Sequence, residues 1–561
     1  MIKKLLNTQT KSISFASLIL AGSYLFSALL GVYREHLLAG KLGAGHELDV
    51  YYSAFTIPDF IALILVFGAI SAAIIPIFSS YLSQSEEEAW RYICNLLNIF
   101  LTFLIATCVI LMIAAPLLVN FTVPGFSASQ KEMVVTLMRI MFLSPIILGT
   151  SSIMSGILQV FHRFVVTALA PIMYNIGIII GIVVFVPMVG LKGLAFGVVL
   201  GGLLHLLIQI PAFLHSGFVY RPTFDIRHLG VRKTLKLMIP RSLGLGAGQL
   251  NTIVVTAIAS TLVAGSISLF NLANTLSAIL INAVAISLST AIFPAMALAY
   301  SKSDFQSFNR KFSAAFRQLM FLSIPVSIEI FLLRAQIARV IWGWGKFDWT
   351  DTRLGAACLG IFSLGLFSQG LVFLLSKTFY AAHNTKIPAW VSAGTVAFNI
   401  FLSLIFIRLL AFTNVFSNFL HWILKLQTVE NISVTGLALA FTTTAFCESA
   451  LLFFFIIKKL HVFDMKSVLQ SLYKIVAAGA CMVVVIALVR DGLVYNNIVN
   501  LQTFWGVFFQ LILAALAGGV TYLGIVFALR SPELQTLLQS FLGFKSKPID
   551  TPAPKIGGDL T

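Results

Sequence analysis

The sequence predicts an all-α polytopic membrane protein of about 14 transmembrane helices, arranged as two six-helix lobes in parallel internal repeat plus a C-terminal helix pair. Three observations predict it. The 561-residue chain is 59% hydrophobic and only 10% charged, against about 25% charged residues in soluble domains, so it cannot cover a water-facing surface. Apolar runs of roughly 20 residues or more, the length a helix needs to cross a bilayer, recur along the whole chain. Segments of the first half also return in order in the second. Ser71-Ala72-Ala73-Ile74-Ile75-Pro76 returns as Ser289-Thr290-Ala291-Ile292-Phe293-Pro294, and the polar turn Ser83-Gln84-Ser85-Glu86 as Ser301-Lys302-Ser303-Asp304, both 218 residues on. Gly193-Leu194-Ala195 returns as Gly436-Leu437-Ala438, 243 residues on. Six spans per copy make both copies enter from the same side, so the repeat axis lies along the membrane normal.

Each span must be helical, because lipid offers no partner to an open backbone. Spans at 14–40, 49–81, 88–119, 131–158, 165–187 and 191–215 compose a first lobe, residues 1–216. Residues 217–232 form a cytoplasmic linker, and spans at 233–260, 268–299, 312–341, 354–381, 388–410 and 433–457 compose a second lobe, 233–458. Spans at 467–490 and 503–530 form an appended pair within 459–530. Residues 531–561 form a cytoplasmic tail whose end, with Pro548, Pro552, Pro554 and a Gly-Gly pair, is expected to be disordered. Between spans 11 and 12, Phe416, Phe419, Leu420, Trp422 and Leu426 fall at helical spacing, which suggests an amphipathic helix on the membrane surface. Prolines 58, 76, 145, 171, 240, 294, 325 and 388 fall in or near spans and favour kinks.

Lys and Arg placement sets the orientation. Twenty-five of the 37 basic residues fall on the side of the termini and alternate loops, against twelve on the other side. Both termini are therefore expected to be cytoplasmic, in a multi-pass protein of the cell inner membrane. The first span reads as an uncleaved helix because no small-residue cleavage site follows it. The net charge of +17 is then positive-inside bias and headgroup attraction. Basic residues spread along loops, without a basic domain, argue against nucleic acid. The five cysteines have no metal-ligand spacing and suggest no disulfide framework. No GxxxxGK[ST] loop, HExxH pair or clustered Ser/His/Asp set is present, so an enzyme is not expected. No cofactor is expected; membrane potential or an ion gradient would drive transport by a monomer among membrane lipids.

The residues that stand out are ionisable groups inside apolar spans, where a charge costs about 2.5–3.5 kcal/mol. These are Arg34 and Glu35 in span 1, Asp49 and Asp59 in span 2, Arg139 in span 4, Glu329 in span 9 and Glu448 in span 12. Each has a bland reading. Arg34 and Glu35 would snorkel to an interface, Asp49 would cap span 2, Asp59 would cap the helix after Pro58, and the others would form structural pairs. The functional reading pairs Arg34 with Asp49 across a short loop, as a gate or an anion site.

Several motifs resemble the lipid II flippases, the MurJ/MviN family of the multidrug/oligosaccharidyl-lipid/polysaccharide exporter superfamily. They are Gly31-Val32-Tyr33-Arg34-Glu35, Gly43-Ala44-Gly45 leading to Leu48-Asp49, Ala54-Phe55-Thr56-Ile57-Pro58-Asp59, Val123-Pro124-Gly125-Phe126, and Arg163-Phe164 leading to Pro171 and Asn175. The second half adds Ala264-Gly265-Ser266-Ile267-Ser268, Gly345-Lys346-Phe347, and Phe379-Tyr380-Ala381 followed by Asn384-Thr385. The resemblance implies translocation of an undecaprenyl-diphosphate-linked peptidoglycan precursor by alternating access, with a lipid-linked substrate as partner. It further implies a substrate site in which Arg34 binds the diphosphate, Glu35 and Asp49 form gating pairs, Arg139 supplies a basic position, and Asn175 and Asn274 line the cavity. The chain departs from the family where better-known members carry arginines, having Ala28, Ala62, Leu63 and Thr275 instead; Asn274 stands where the family has an acid, and Val255 lies near where some members place an acid linked to cation binding. These losses weaken the expected anion site. They keep open an exporter of another polyprenyl-linked glycan or a small molecule, or a non-transporting scaffold of the same fold.

Overall fold

The computed structural model describes residues 13–67, 70–460 and 463–542. Lys3, Lys4, Lys11 and the expected disordered tail end after Lys545 lie outside the described residues. Every regular element among the described residues is helical.

The first half begins with α1 (Ile13–Leu42) and continues with α2 (His46–Ile61), which runs through a π-helical segment, Ala62–Phe67, toward α3 (Ile70–Leu82). Then follow α4 (Glu86–Thr122), α5 (Ala128–Met141), α6 (Leu143–Val160), α7 (Phe164–Ile180), the short α8 (Val186–Val189), α9 (Lys192–Leu207) and α10 (Ile210–Leu214). The second half holds α11 (Leu229–Ala259), α12 (Ser266–Ile281), a π-helical segment Asn282–Ile286, α13 (Ser287–Ser301), α14 (Phe305–Ile341), α15 (Trp349–Ala381), α16 (Lys386–Leu410), α17 (Val415–Leu424) and α18 (Ser433–Leu460). The described residues close with α19 (Met465–Tyr495), α20 (Phe504–Ala528) and α21 (Pro532–Leu542).

Twelve helical rods among the described residues are long and apolar enough to cross a membrane. The other two expected spans correspond to α1 and α11, continuous helices of 30 and 31 residues. Among the described residues of α11, Gly248–Ala259 is an apolar stretch, and the first turns carry Arg232, Lys233 and Lys236. This helix starts at Leu229, inside the expected linker. The remaining linker lies along α4, where the Asn95 amide donates to the Asp225 carbonyl (2.7 Å) and accepts from the Asp225 N–H (2.6 Å).

Equivalent rods pack alike in the two halves: α7 lies against α9, and α16 against α18. The repeated Gly-Leu-Ala tripeptides explain part of this. A Cβ on Gly193 would meet the Phe185–Val186 backbone, and one on Gly436 would meet the Phe406–Ile407 backbone at 3.0 Å, so each glycine admits the preceding rod at backbone distance. The π segments of spans 2 and 8 also stand close to the 218-residue offset. Helix α11 joins the halves, touching α2, α3 and α4 on one side and α12, α16 and α18 on the other. The appended pair α19–α20 packs on α14, with the Tyr522 hydroxyl donating to the Phe321 carbonyl at 2.9 Å.

The surface helix expected within 412–431 is α17, with Leu420 and Leu424 buried and Phe419 and Trp422 exposed. The tail begins as a docked helix, α21, whose buried Glu533 is held by Ser471 (2.5 Å) and by Arg317 (3.1 Å).

Loops alternate between two ends of the bundle. The linker end carries residues 215–228; the far end carries the turns at 43–45, 123–127, 260–265 and 342–348. At the far end the halves are joined closely. The Lys346 N–H donates to the Gly40 carbonyl (2.8 Å), the Ala44 N–H to Asp351 (3.1 Å), the Trp344 indole to the His36 carbonyl (2.7 Å) and the Gly125 N–H to the Ser260 hydroxyl (3.2 Å). Gly345 and Gly265 sit at φ of 61° and 89°, and a side chain on either would strike the facing backbone, at Gly40 and Ala44 respectively. At the linker end the halves meet through the linker and α11, with Tyr92 and Thr234 joined at 2.7 Å.

Candidate functional site

A cavity of about 360 Å³ lies within the first half, walled by α1, α2, α6, α7 and α9 and by the ends of α5 and the first π segment. With Asn175 in one half and Asn274 in the other, the resemblance implies a cavity lined from both halves. This one is lined by residues 34–205 alone, and the second half reaches its edge through Gln249 of α11, whose amide donates to Asp59 at 3.3 Å. The reason lies in the far-end seal, which brings the halves together above it and leaves the polar space beside α1.

Arg34 and Glu35 both line the cavity. Eight residues before the end of α1, Arg34 sits about 12 Å in from the far end at 1.5 Å per residue. Its guanidinium donates to Glu35 through Nε (3.2 Å) and Nη2 (2.6 Å), and to the Asn175 Oδ1 through Nη1 (3.1 Å). Three of its N–H groups are engaged, and a guanidinium carries five donors, so two remain for a ligand. Glu35 is buried and also accepts from the Tyr52 hydroxyl. Asn175 ties α7 to α1, its Nδ2 donating to the Ser27 hydroxyl (3.1 Å) and carbonyl (3.3 Å). Asn175 therefore supports Arg34 from behind.

The other expected residues lie elsewhere. Arg34 does not pair with Asp49. Asp49 is buried at the far end and accepts from the Gly265 N–H (2.7 Å), the Ser268 N–H (2.8 Å) and the Ser268 hydroxyl (2.5 Å). It caps α12, a helix of the opposite half, rather than its own helix, because the N-cap of α2 is Gly45. Arg139 is exposed and donates to the Met112 carbonyl of α4 at 3.1 Å, outside the cavity lining. That carbonyl is orphaned because Pro116, four residues on, has no N–H. Asn274 is half-buried on α12 and is not part of the cavity wall. Asp59 lines the cavity rather than capping a helix, and Glu448 accepts from Ser392 at 2.7 Å.

Sequence reasoning missed Tyr51, Tyr52, Tyr174 and His205, which also line the cavity. Beneath them Ser151, His205 and Gln209 form a buried network, with Ser151 Oγ 2.7 Å from both His205 Nδ1 and Gln209 Nε2. His205 and Gln209 are polar residues four apart in an apolar span, and that spacing was the available signal. The lining carries one guanidinium against two carboxylates, Glu35 and Asp59, and Ala62 stands on the wall where the resemblance expected an arginine.

Two helical halves that pack alike, sealed at one end and holding a polar cavity among their helices, define a two-lobed membrane transporter of the kind whose site lies among its spans. The chain belongs to the lipid II flippase MurJ family: a family model described as "Lipid II flippase MurJ" matches residues 38–509. It is 27% identical over 404 residues to the lipid II flippase MurJ of Burkholderia cenocepacia, covering 70% of this chain and 78% of the relative. It is 30% identical over 380 residues to a probable lipid II flippase MurJ of Buchnera aphidicola subsp. Acyrthosiphon pisum, covering 67% and 74%. A solved structure titled "Lipid II flippase MurJ, inward closed conformation" superposes with a TM-score of 0.72 at 24% identity, over 94% of this chain and 99% of that one. An inward-facing multidrug resistance MATE family transporter of the MOP superfamily superposes at 0.63 with 14% identity, over 79% and 98%. These two likenesses show the fold.

Proposed function

We propose that this chain moves lipid II, an undecaprenyl-diphosphate-linked peptidoglycan precursor, from the inner to the outer leaflet of the cell inner membrane by alternating access. Family membership across residues 38–509 carries the reading. The cavity supports it: Arg34 keeps two donors for an anionic headgroup, and the polyprenyl tail stays in lipid. A cytoplasmic linker end and cytoplasmic termini follow from the basic residues on that side, and an even number of spans, fourteen, agrees with both termini on one side. The chain acts as a monomer without catalysis or a cofactor. An inside-negative potential favours outward movement of an anion by about 2.3 kcal/mol per charge per 100 mV.

Reconstitution tests the reading. Proteoliposomes loaded with lipid II are expected to expose it to an external probe at a rate the empty vesicles lack. No transfer, with the Burkholderia relative active in parallel, would defeat the proposal.

One observation favours a second reading, an exporter of another polyprenyl-linked glycan or a small molecule. The cavity wall bears one cation against two carboxylates, a weak match to a diphosphate. Native mass spectrometry of the purified protein separates the two by the mass of the co-purifying lipid. Full growth of a flippase-depleted strain carrying Arg34→Ala would argue against Arg34 as the anion anchor.

A further inference from the structure

A second polar cavity, of about 580 Å³, opens at the far end of the second half between α14, α15, α17, α19 and α20. Four cations line it, Arg334, Arg353, Lys425 and Arg490, against one carboxylate, Asp491. Asp491 is taken by Arg490, which it grips at 2.7 and 3.0 Å. Arg334 donates only to carbonyls, those of Phe331 (2.7 Å) and Ile423 (3.1 Å). Arg353 bonds the Thr428 hydroxyl and lies over the Trp349 ring at 5.3 Å. Among the described residues, neither these two nor Lys425 forms an ion pair with a carboxylate. Like charges gathered in one partly enclosed space repel, and an anion shared among them relieves that repulsion.

The surroundings set the depth. Trp349, Trp422, Tyr495 and Trp505 are 56%, 69%, 87% and 63% exposed at this end of the bundle. Trp and Tyr concentrate at the headgroup level of a bilayer. Arg334, seven residues before the end of α14, lies about 10 Å below it, where headgroup meets acyl chain. The floor adds Leu332, Ala335 and Ala356, and Gln336 and Gln510 are fixed to each other at 3.1 Å. Planar guanidinium forks and multiple charges match phosphate oxygens better than a carboxylate.

We propose that this pocket is a second anion site, separate from the first-half cavity, which takes the phosphate of a lipid headgroup from the leaflet at the far end. It does not rest on lipid II transport, since a silent flipping assay leaves this binding measurement untouched.

The test is native mass spectrometry of the full chain in detergent, titrated with dioleoyl phosphatidic acid and, separately, with dioleoylglycerol. The acid is expected to bind and the neutral lipid to bind far more weakly. In R353Q/K425Q, where Arg353 is half-buried and Lys425 exposed, affinity for the acid should fall at least about tenfold with the melting temperature little changed; Arg227→Gln, at an exposed cation of the linker end, should leave it as it was. Equal binding of the two lipids, or an undiminished phosphatidic acid adduct in both R353Q/K425Q and Arg334→Gln, overturns the proposal. Excess inorganic phosphate distinguishes the source: failure to displace the lipid supports a headgroup site, whereas displacement together with a direct phosphate adduct overturns the lipid assignment in favour of a free anion.

Discussion

Arg34 and Glu35 form a pair whose members cannot be removed independently. Their side chains are 21% and 6% exposed, so deleting the guanidinium leaves a carboxylate buried with only Tyr52 on it. Arg34→Ala should lower stability by about 3–5 kcal/mol, read as a drop in thermal unfolding temperature in detergent. Adding Glu35→Gln should recover most of that loss while flipping stays abolished, which separates a folding role from anion binding. Recovery of flipping in the double variant would remove Arg34 from the proposed site. Arg139 makes a different case. It is a charge at membrane depth explained by a backbone defect, the Met112 carbonyl that Pro116 cannot satisfy. Arg139→Met should therefore cost about 1–3 kcal/mol, and Arg139→Met combined with Pro116→Ala should unfold close to the parent temperature, because alanine restores the helical N–H. Independent, additive effects of the two substitutions would refute the link. An arginine in an apolar run advertised itself in the sequence, but its partner was a carbonyl, and a carbonyl has no sequence signature.

At the scale of helices, the rods were legible because lipid forces every apolar run to close its own hydrogen bonds. The repeat was legible because the same small residues are needed wherever one rod approaches another at backbone distance, as at Gly193 and Gly436. What stayed hidden were features set by three-dimensional neighbours. The π segments Ala62–Phe67 and Asn282–Ile286 have no proline within them, and nothing in their composition marks them. The capping of α12 by Asp49 crosses 216 residues of chain. The cavity was half legible: Arg34 and Glu35 declared themselves as charges, whereas Tyr52 and Tyr174 looked like ordinary span residues. The paired π segments interrupt spans 2 and 8 at matching places, where a rod can change its helical register. Deleting one residue from Ala62–Phe67, such as Leu63, should convert the segment to regular α-helix and stop transport in the reconstituted assay while the protein still reaches the membrane in normal amount. Retained transport would exclude a hinge at this position.

For the whole molecule, alternating access demands that the halves part at the far end as they approach at the linker end, and the seal sets the balance between those states. Asp49 contributes three charge-assisted bonds across the halves, and Gly265 supplies the positive-φ turn that brings the amides to it. Asp49→Asn leaves the shape and removes the charge, a loss of about 1.5–3 kcal/mol for hydrogen bonds to a charged group. Tenfold in population corresponds to about 1.4 kcal/mol, so the state parted at the far end should gain roughly 10- to 150-fold. Spin labels can report this in a background with Cys447 and Cys481 replaced by serine; the other three cysteines are buried. A far-end pair at Ser129 and Thr261 and a linker-end pair at Gln84 and Lys302 use exposed positions on opposite halves. With Asp49→Asn the first distance should lengthen and the second shorten in the same fraction of molecules, as rigid halves rocking about α11 require. Lengthening at the far end with the linker-end distance unchanged would mean that the seal frays locally, and that Asp49 holds a loop rather than a conformational state of the transporter.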